Sequence, residues 1–294
     1  MADKGNSNSI TRDYIDSLLI ETRYMDSLNP KLDFELFGER FASPVMTAAL
    51  SHLDHFMFPG AADALARGAR DAGAVLWYGM AEEEEINRLA DTGARMIEII
   101  KPYADRDRIY RKIRHAEEKK LLAVGVDIDH AFGEGGANDL VFGDEMKALT
   151  TAELKELCAA ARLPLIVKGV LSLRDADCCL EAGAAGLVLS HHNNRISYAL
   201  PPLALLPEMA KRVSGTVPLF VDCEIRSGMD AFKALALGAA GVCIGRPLMT
   251  AIQQDRENGA RDYLRKANAE LGKAMAFTGC ADLKHMDPAV IHRL

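Results

Sequence analysis

LPLIVKG (Leu163–Gly169), AAGLVLSHHNNR (Ala184–Arg195), VPLFVDCEIRSG (Val217–Gly228) and GVCIGRP (Gly241–Pro247) are four short apolar runs that change to polar residues, glycine or both at their C-terminal ends. Amphipathic stretches separate them. Two of these share one plan: DADCCLEAGAAG and DAFKALALGAAG each read as Asp-Ala, an apolar helix, a glycine stop and the next strand. Strands joined by helices, with polar side chains gathered at the strands' C-terminal ends, are the construction of a (β/α)8 barrel.

Upstream the same rhythm continues. ASPVMTAAL (Ala42–Leu50), AVLWYG (Ala74–Gly79), ARMIEII (Ala94–Ile100) and LLAVGVDIDH (Leu121–His130) supply four more strands, so eight are countable. Helices are expected over Thr11–Leu28, Arg108–Lys120, Thr151–Ala161, Leu173–Ala182, Leu203–Val213, Gly228–Leu237 and Asp255–Met275. Four acids open the helix after strand two, where the helix dipole favours negative charge, so they read as capping and solubility rather than as metal ligands. The fold class is α/β, a (β/α)8 TIM barrel with an N-terminal helical extension: residues 1–40 form the extension and residues 41–294 the barrel with its C-terminal helix and tail. The connection after strand four, AFGEGGANDLVFGDEMKAL, is the longest irregular one, and its composition suits a lid or substrate loop over residues 132–146.

A chain of 294 residues suits one large core. Lys+Arg 35 against Asp+Glu 42 leaves a net charge of −7, which argues against a nucleic-acid or acidic-membrane surface. The six cysteines show neither CxxC nor metal-ligand spacing and read as reduced thiols. No run reaches the ~20 apolar residues of a membrane span, and the polar start has no export signal, so a cytoplasmic protein is expected.

Arg226 with Gly228, and Gly245 with Arg246, stand at the tops of strands seven and eight, where glycine backbone and guanidinium forks make a phosphate site in many barrels. Surface salt bridges are the competing reading of the two arginines. Lys168 ends an apolar strand, so its amine should enter the barrel mouth and needs an electron-rich partner. A flavin N1–C2=O edge would suit it; a Schiff-base lysine and a structural ion pair are the rivals. His191 and His192 are adjacent in what reads as an extended segment, so one should face the mouth as a base, with Asp127 orienting it. Arg195 is spaced to hold an anionic substrate group, a carboxylate above all. A solvated turn rich in His and Asn is the bland alternative for this string.

Taken together, LPLIVKG, DADCCLEAGAAGLVLSHHNNR, VPLFVDCEIRSGMDAFKALALGAAGVCIGRP and AMAFTGCADL resemble the FMN-dependent 2-hydroxy acid oxidase and dehydrogenase family, which includes glycolate and lactate oxidases. The resemblance implies FMN as cofactor, with its phosphate at Arg226, Gly245 and Arg246, Lys168 at the N1/O2 edge and the ring near Ala48 and Ala49. Asp222 would fix the ribityl and phosphate end, Ser190 belongs to the same cofactor set, and Glu98 would accept from the flavin N3–H. His192 would be the base, Asp127 its partner and Arg195 the carboxylate clamp on a small anionic substrate. The electron acceptor would be oxygen, a quinone or a carrier, and family members commonly form homotetramers.

Departures fall on the substrate side. The family's Asn-His-Gly-Gly-Arg is His191-His192-Asn193-Asn194-Arg195 here, its Gly-Gly after strand seven is Cys223-Glu224, and its glutamine-then-tyrosine pattern on strand three corresponds to Glu98 and Ile100. Trp77 and Tyr78 replace small hydroxyl residues and could alter how the ring is seated. The loop after strand four is shortened and lacks a second substrate arginine between Ile128 and Gly133. Two alternatives to hydroxy acid oxidation therefore stay open: a flavin-assisted isomerase without net redox, and a flavin-binding protein whose catalysis has lapsed.

Overall fold

A computed structural model describes residues 4–294. Its core is a parallel sheet of β1 (Val45–Thr47), β2 (Leu76–Gly79), β3 (Met96–Ile100), β4 (Ala123–Asp127), β5 (Leu165–Lys168), β6 (Gly186–Leu189), β7 (Leu219–Val221) and β8 (Gly241–Ile244). The ladder runs β2-β3-β4-β5-β6-β7-β8-β1. Between β1 and β2 the gap is bridged by a Leu50–Tyr78 pairing and by the Thr47 hydroxyl, which takes the Trp77 N–H at 2.8 Å. This closes the (β/α)8 barrel.

Side chains alternate across each strand, and the alternation separates two apolar sets. Met46, Trp77, Ile97, Ile99, Ile166 and Phe220 fill the barrel interior. Their neighbours, such as Met96, Ile100, Val124 and Val167, face the surrounding helices. A hairpin of Phe34–Leu36 and Glu39–Phe41, immediately before β1, adds Phe34, Leu36 and Phe41 to the interior set and so plugs the N-terminal end. The C-terminal end is left for chemistry.

The helices are α1 (Ser7–Ser17), α2 (Ala61–Asp71), α3 (Glu83–Asp91), α4 (Arg106–Glu118), α5 (Thr151–Ala160), α6 (Leu173–Ala182), α7 (Pro202–Val213), α8 (Gly228–Ala236) and α9 (Arg246–Thr278), with a single turn at Leu53–Phe56. The repeated unit is visible in the caps: Ser172 accepts from the N–H of Asp175 at the start of α6, and Ser227 from that of Asp230 at the start of α8. α9 begins earlier than the sequence indicates, and non-helical angles at Asp255 and Arg256 divide it; the expected Asp255–Met275 helix is its second half.

The N-terminal helix is also shorter than the expected Thr11–Leu28. It stops at Ser17 because buried Leu18 turns extended and Leu18–Ile20 pairs antiparallel with Ile291–Arg293, which supplies backbone partners that a longer helix would forgo. α1 thereby lies over the barrel mouth. No helix among the described residues is long and apolar enough to cross a membrane, and all six cysteines are free.

Candidate active site

The polar residues at the strand ends share the parity of the interior apolar residues and therefore point inward. Lys101 follows Ile97 and Ile99, Asp127 follows Ala123 and Gly125, and Lys168 follows Ile166. The three meet in one buried cluster: Lys101 Nζ lies 2.7 Å from Asp127 Oδ2, and Lys168 Nζ lies 3.1 Å from Asp127 Oδ1 and 3.7 Å from Asp222 Oδ2. Burial opposes the charge on Asp127, yet Lys101, Lys168 and His192 hold its carboxyl well below the ordinary range. Burial likewise opposes the Lys168 ammonium, and Asp127, Asp222 and Asp129 outweigh it, so the lysine stays charged.

His192 and His191 diverge, as expected, but not through an extended backbone. His192, Asn193 and Asn194 all adopt left-handed conformations, with φ of +49°, +56° and +68°. Asparagine tolerates that region better than most residues, so the pair stands in for glycine. α1 fastens the turn: Ser7 N–H donates to Asn194 Oδ1 at 2.7 Å, Asn8 Nδ2 to Asn193 Oδ1 at 2.9 Å, and Thr11 Oγ1 lies 2.9 Å from His191 Nε2. Burial lowers the pKa of His191. It is a structural residue under α1, while His192 faces the cleft.

His192 Nδ1 bonds to Asp129 Oδ1 at 2.9 Å, whereas Asp127 Oδ1 stands 3.7 Å away. Lys168 Nζ also lies 3.2 Å from Nδ1 and can only donate, whereas the Asp129 carboxylate can only accept; in the tautomer that keeps the shorter of the two contacts, Nδ1 carries the hydrogen and the lone pair sits on Nε2. The expected partner, Asp127, is instead held by the two lysines. Asp129 reaches the histidine because Gly169, at φ +93°, follows β5 without a side chain; a Cβ there would stand 2.4 Å from Asp129 Cγ. Asp127, Asp129 and His192 are close enough together to suggest a metal site. With Lys101 and Lys168 on the same carboxylate, the positive charge is already supplied by the protein.

Arg195 turns to the loop after β4. Its Nη2 donates to Phe132 O at 2.6 Å and pairs with Asp139. Asp139 also takes His130 Nδ1 at 3.1 Å, and a two-rung hairpin of Leu140–Val141 with Asp144–Glu145 completes the loop. The His130 ring packs edge-on against His192 with centroids 4.5 Å apart. Burial, with Lys101, His192 and Arg195 close by, pushes its pKa down to about 3.

Three expectations at the barrel wall are corrected. Glu98 faces the helical layer, 3.7 Å from Lys112 Nζ, because it alternates with the inward Ile97 and Ile99; burial raises its pKa to about 7 against the pull of Lys112. It has no access to the mouth. Trp77 points inward but packs edge-on with Phe220 in the barrel interior, its centroid 5.2 Å from that ring, and Tyr78 points outward to Glu85. Gly228 offers its N–H to Glu270 at 2.9 Å rather than to an anion. The sequence reading missed Lys101, Asp129, His130 and Thr11. Lys101 carried a usable signal: it continues the inward parity of Ile97 and Ile99.

Lys168, His192, Asp222, Arg226 and Arg246 border one cleft of about 420 Å³ at the mouth, whose floor includes Ala48, Ala49 and Gly245. A side chain on Gly245 would come within 3.3 Å of Ala48 Cβ, so small residues keep that floor open. Ser190 is buried at the same strand end and accepts the His192 N–H at 3.0 Å. Arg226 and Arg246 are half exposed at the far end, each paired with Glu224. A buried ammonium at one end, two guanidiniums at the other and a smooth apolar floor between them fit a flavin with a phosphate tail.

The comparisons agree. A family model described as FMN-dependent dehydrogenase matches residues 1–146 and 133–293. Glycolate oxidase 1 of Oryza sativa subsp. indica is 29% identical over 87% of this chain and 79% of its own length. Glycolate oxidase of Spinacia oleracea is 28% identical over 96% of this chain and 85% of its own. Among solved structures, mandelate oxidase with benzoyl-formic acid superposes with a TM-score of 0.88 and 28% identity, covering 99% of this chain and 90% of that one. By sequence and by structure, this chain belongs to the FMN-dependent dehydrogenase family and is an FMN-dependent oxidoreductase.

Proposed function

We propose that the chain oxidises a small 2-hydroxy acid to the 2-oxo acid, with His192 as the base and Asp129 as the residue that positions it. One observation carries this reading: His192 borders the same cleft as Lys168 and the two arginines, with its Nδ1 side occupied by Asp129 and its basic nitrogen left for substrate. FMN, when bound, supplies the two-electron acceptor. His192 Nε2 takes the proton from the substrate, and Asp129 stabilises the imidazolium that results. Lys168 places a fixed positive charge where electron density would build up on the cofactor.

Arg195 uses Nη2 for Asp139 and Phe132 O, and its Nε and Nη1 are the donors we assign to the substrate carboxylate. Ala48, Ala49, Ser190, Asp222, Arg226, Gly245 and Arg246 are the residues we assign to the cofactor. All but Ser190 border the common cleft, and Ser190 is buried at the same strand end, where it accepts the His192 N–H, which supports this. Six free cysteines suit a reducing cytoplasm. The substrate class is tested by steady-state turnover of glycolate, lactate and mandelate with an artificial electron acceptor. Turnover of at least one of them, lost in Arg195→Leu through a raised KM, is the expected result; turnover of none would remove the assignment.

A further inference from the structure

The two arginines at the far end of the cleft are already occupied by a carboxylate of the chain itself. After β7 the backbone passes through Asp222, Cys223 and Glu224, and both Cys223 and Glu224 are left-handed, with φ of +64° and +63°. Side chains other than glycine adopt that conformation only at a cost of roughly 1 kcal/mol each. The bend turns Glu224 inward: its side chain is fully buried, while the Arg226 and Arg246 side chains are 54% and 49% exposed. One carboxylate oxygen pairs with Arg226 Nη2 and the other with Arg246 Nη2.

The bend is also held from behind. Arg12 of α1 donates to Glu224 O at 2.8 Å and to Asp230, and Asp230 Oδ2 accepts the Arg226 N–H at 3.0 Å. The backbone that carries Glu224 and Arg226 is therefore fixed from α1, which holds the Glu224 side chain's starting point beside the two arginines. A buried carboxylate that lost both guanidiniums would be an uncompensated charge in the protein interior. Two guanidiniums and one carboxylate leave a net charge of +1 to meet a phosphate dianion, with the carboxylate facing it.

We propose that Glu224 is an internal competitor for the cofactor's phosphate. It weakens selection for the phosphorylated flavin, so riboflavin is held nearly as well as FMN. The inference rests on the reading of Arg226 and Arg246 as the phosphate site.

The test uses the full chain stripped of flavin and two variants. Glu224→Gln removes the charge at constant size, and Glu224→Gly also relieves the left-handed backbone. Inorganic phosphate is titrated by calorimetry, and FMN and riboflavin by quenching of flavin fluorescence. In both variants phosphate and FMN should bind about tenfold more tightly, with riboflavin unchanged. Equal affinities in all three proteins would overturn the proposal, because Glu224 would then move aside at no cost. Weaker FMN binding by the variants would also overturn it, making Glu224 an organiser of the arginines. If the variants gain phosphate but no protein binds either flavin, Glu224 blocks an anion site that is not the cofactor's, and the proposal is overturned. If none binds phosphate or FMN, the arginine pair is no phosphate site and the proposal falls with it.

Discussion

His192 Nδ1 lies 2.9 Å from Asp129 Oδ1 and 3.7 Å from Asp127 Oδ1, so two aspartates only two residues apart serve different groups. Asp129 holds the histidine. Asp127, lying between Lys101 and Lys168, holds the charges beneath it.

That division separates the effects expected of Asp129→Asn and Asp127→Asn. Asp129→Asn should lower kcat by about 10²-fold and shift the acidic limb of the pH profile, the limb a group acting as base controls, with flavin binding retained, because only the orientation and charge of the base are lost. Asp127→Asn leaves two buried ammonium groups short of their anion and should cost about 3 kcal/mol in stability. Rapid-reaction kinetics over a pH range, together with urea unfolding, read both outcomes. An Asp129→Asn enzyme with normal kcat and an unchanged profile would sink the assignment of Asp129.

Gly169 makes the Asp129 contact sterically possible. A methyl group there would stand 2.4 Å from Asp129 Cγ on a backbone at φ +93°. Gly169→Ala should therefore resemble Asp129→Asn in turnover, and add a loss of roughly 1–3 kcal/mol from overpacking and backbone strain. The comparison is kcat against the urea midpoint; full turnover in a folded Gly169→Ala protein would contradict the contact.

His130 supplies a pH dependence of known sign. Its folded pKa, about 3, lies below the usual histidine value of 6.5. Between those values the unfolded chain binds a proton that the native protein does not, so stability falls as the pH drops from about 6.5 towards 3. His130→Asn should flatten the slope of stability against pH across that window by up to about 1 kcal/mol per pH unit. Thermal unfolding between pH 6 and pH 4 gives the slope, and an identical slope in the variant would rule His130 out as its source.

The barrel was legible because its signals are local. Apolar runs with polar C-terminal ends set the strands, and the glycine-stopped repeats marked α6 and α8 almost to the residue. Lys168, His192 and the arginine pair followed from their places at strand ends. What stayed hidden depended on strand parity or on distant partners. Glu98 lies one residue from each of two inward isoleucines and so faces outward. Asp129 follows the end of β4 by two residues, and its bond to His192 spans 63 positions. Thr11 gains its role only because α1 stops at Ser17 and lies across the mouth, a consequence of pairing with the C-terminal strand.

The central claim, that this cleft oxidises a 2-hydroxy acid with His192 as base, is tested most directly by anaerobic absorbance of the FMN-loaded protein. Glycolate, lactate or mandelate is added without any electron acceptor. The expected result is bleaching of the flavin band by at least one acid, slowed by roughly 10³-fold or more in His192→Ala while that variant still binds FMN. A flavin band that none of these acids bleaches, or one that bleaches equally fast in His192→Ala, would contradict it.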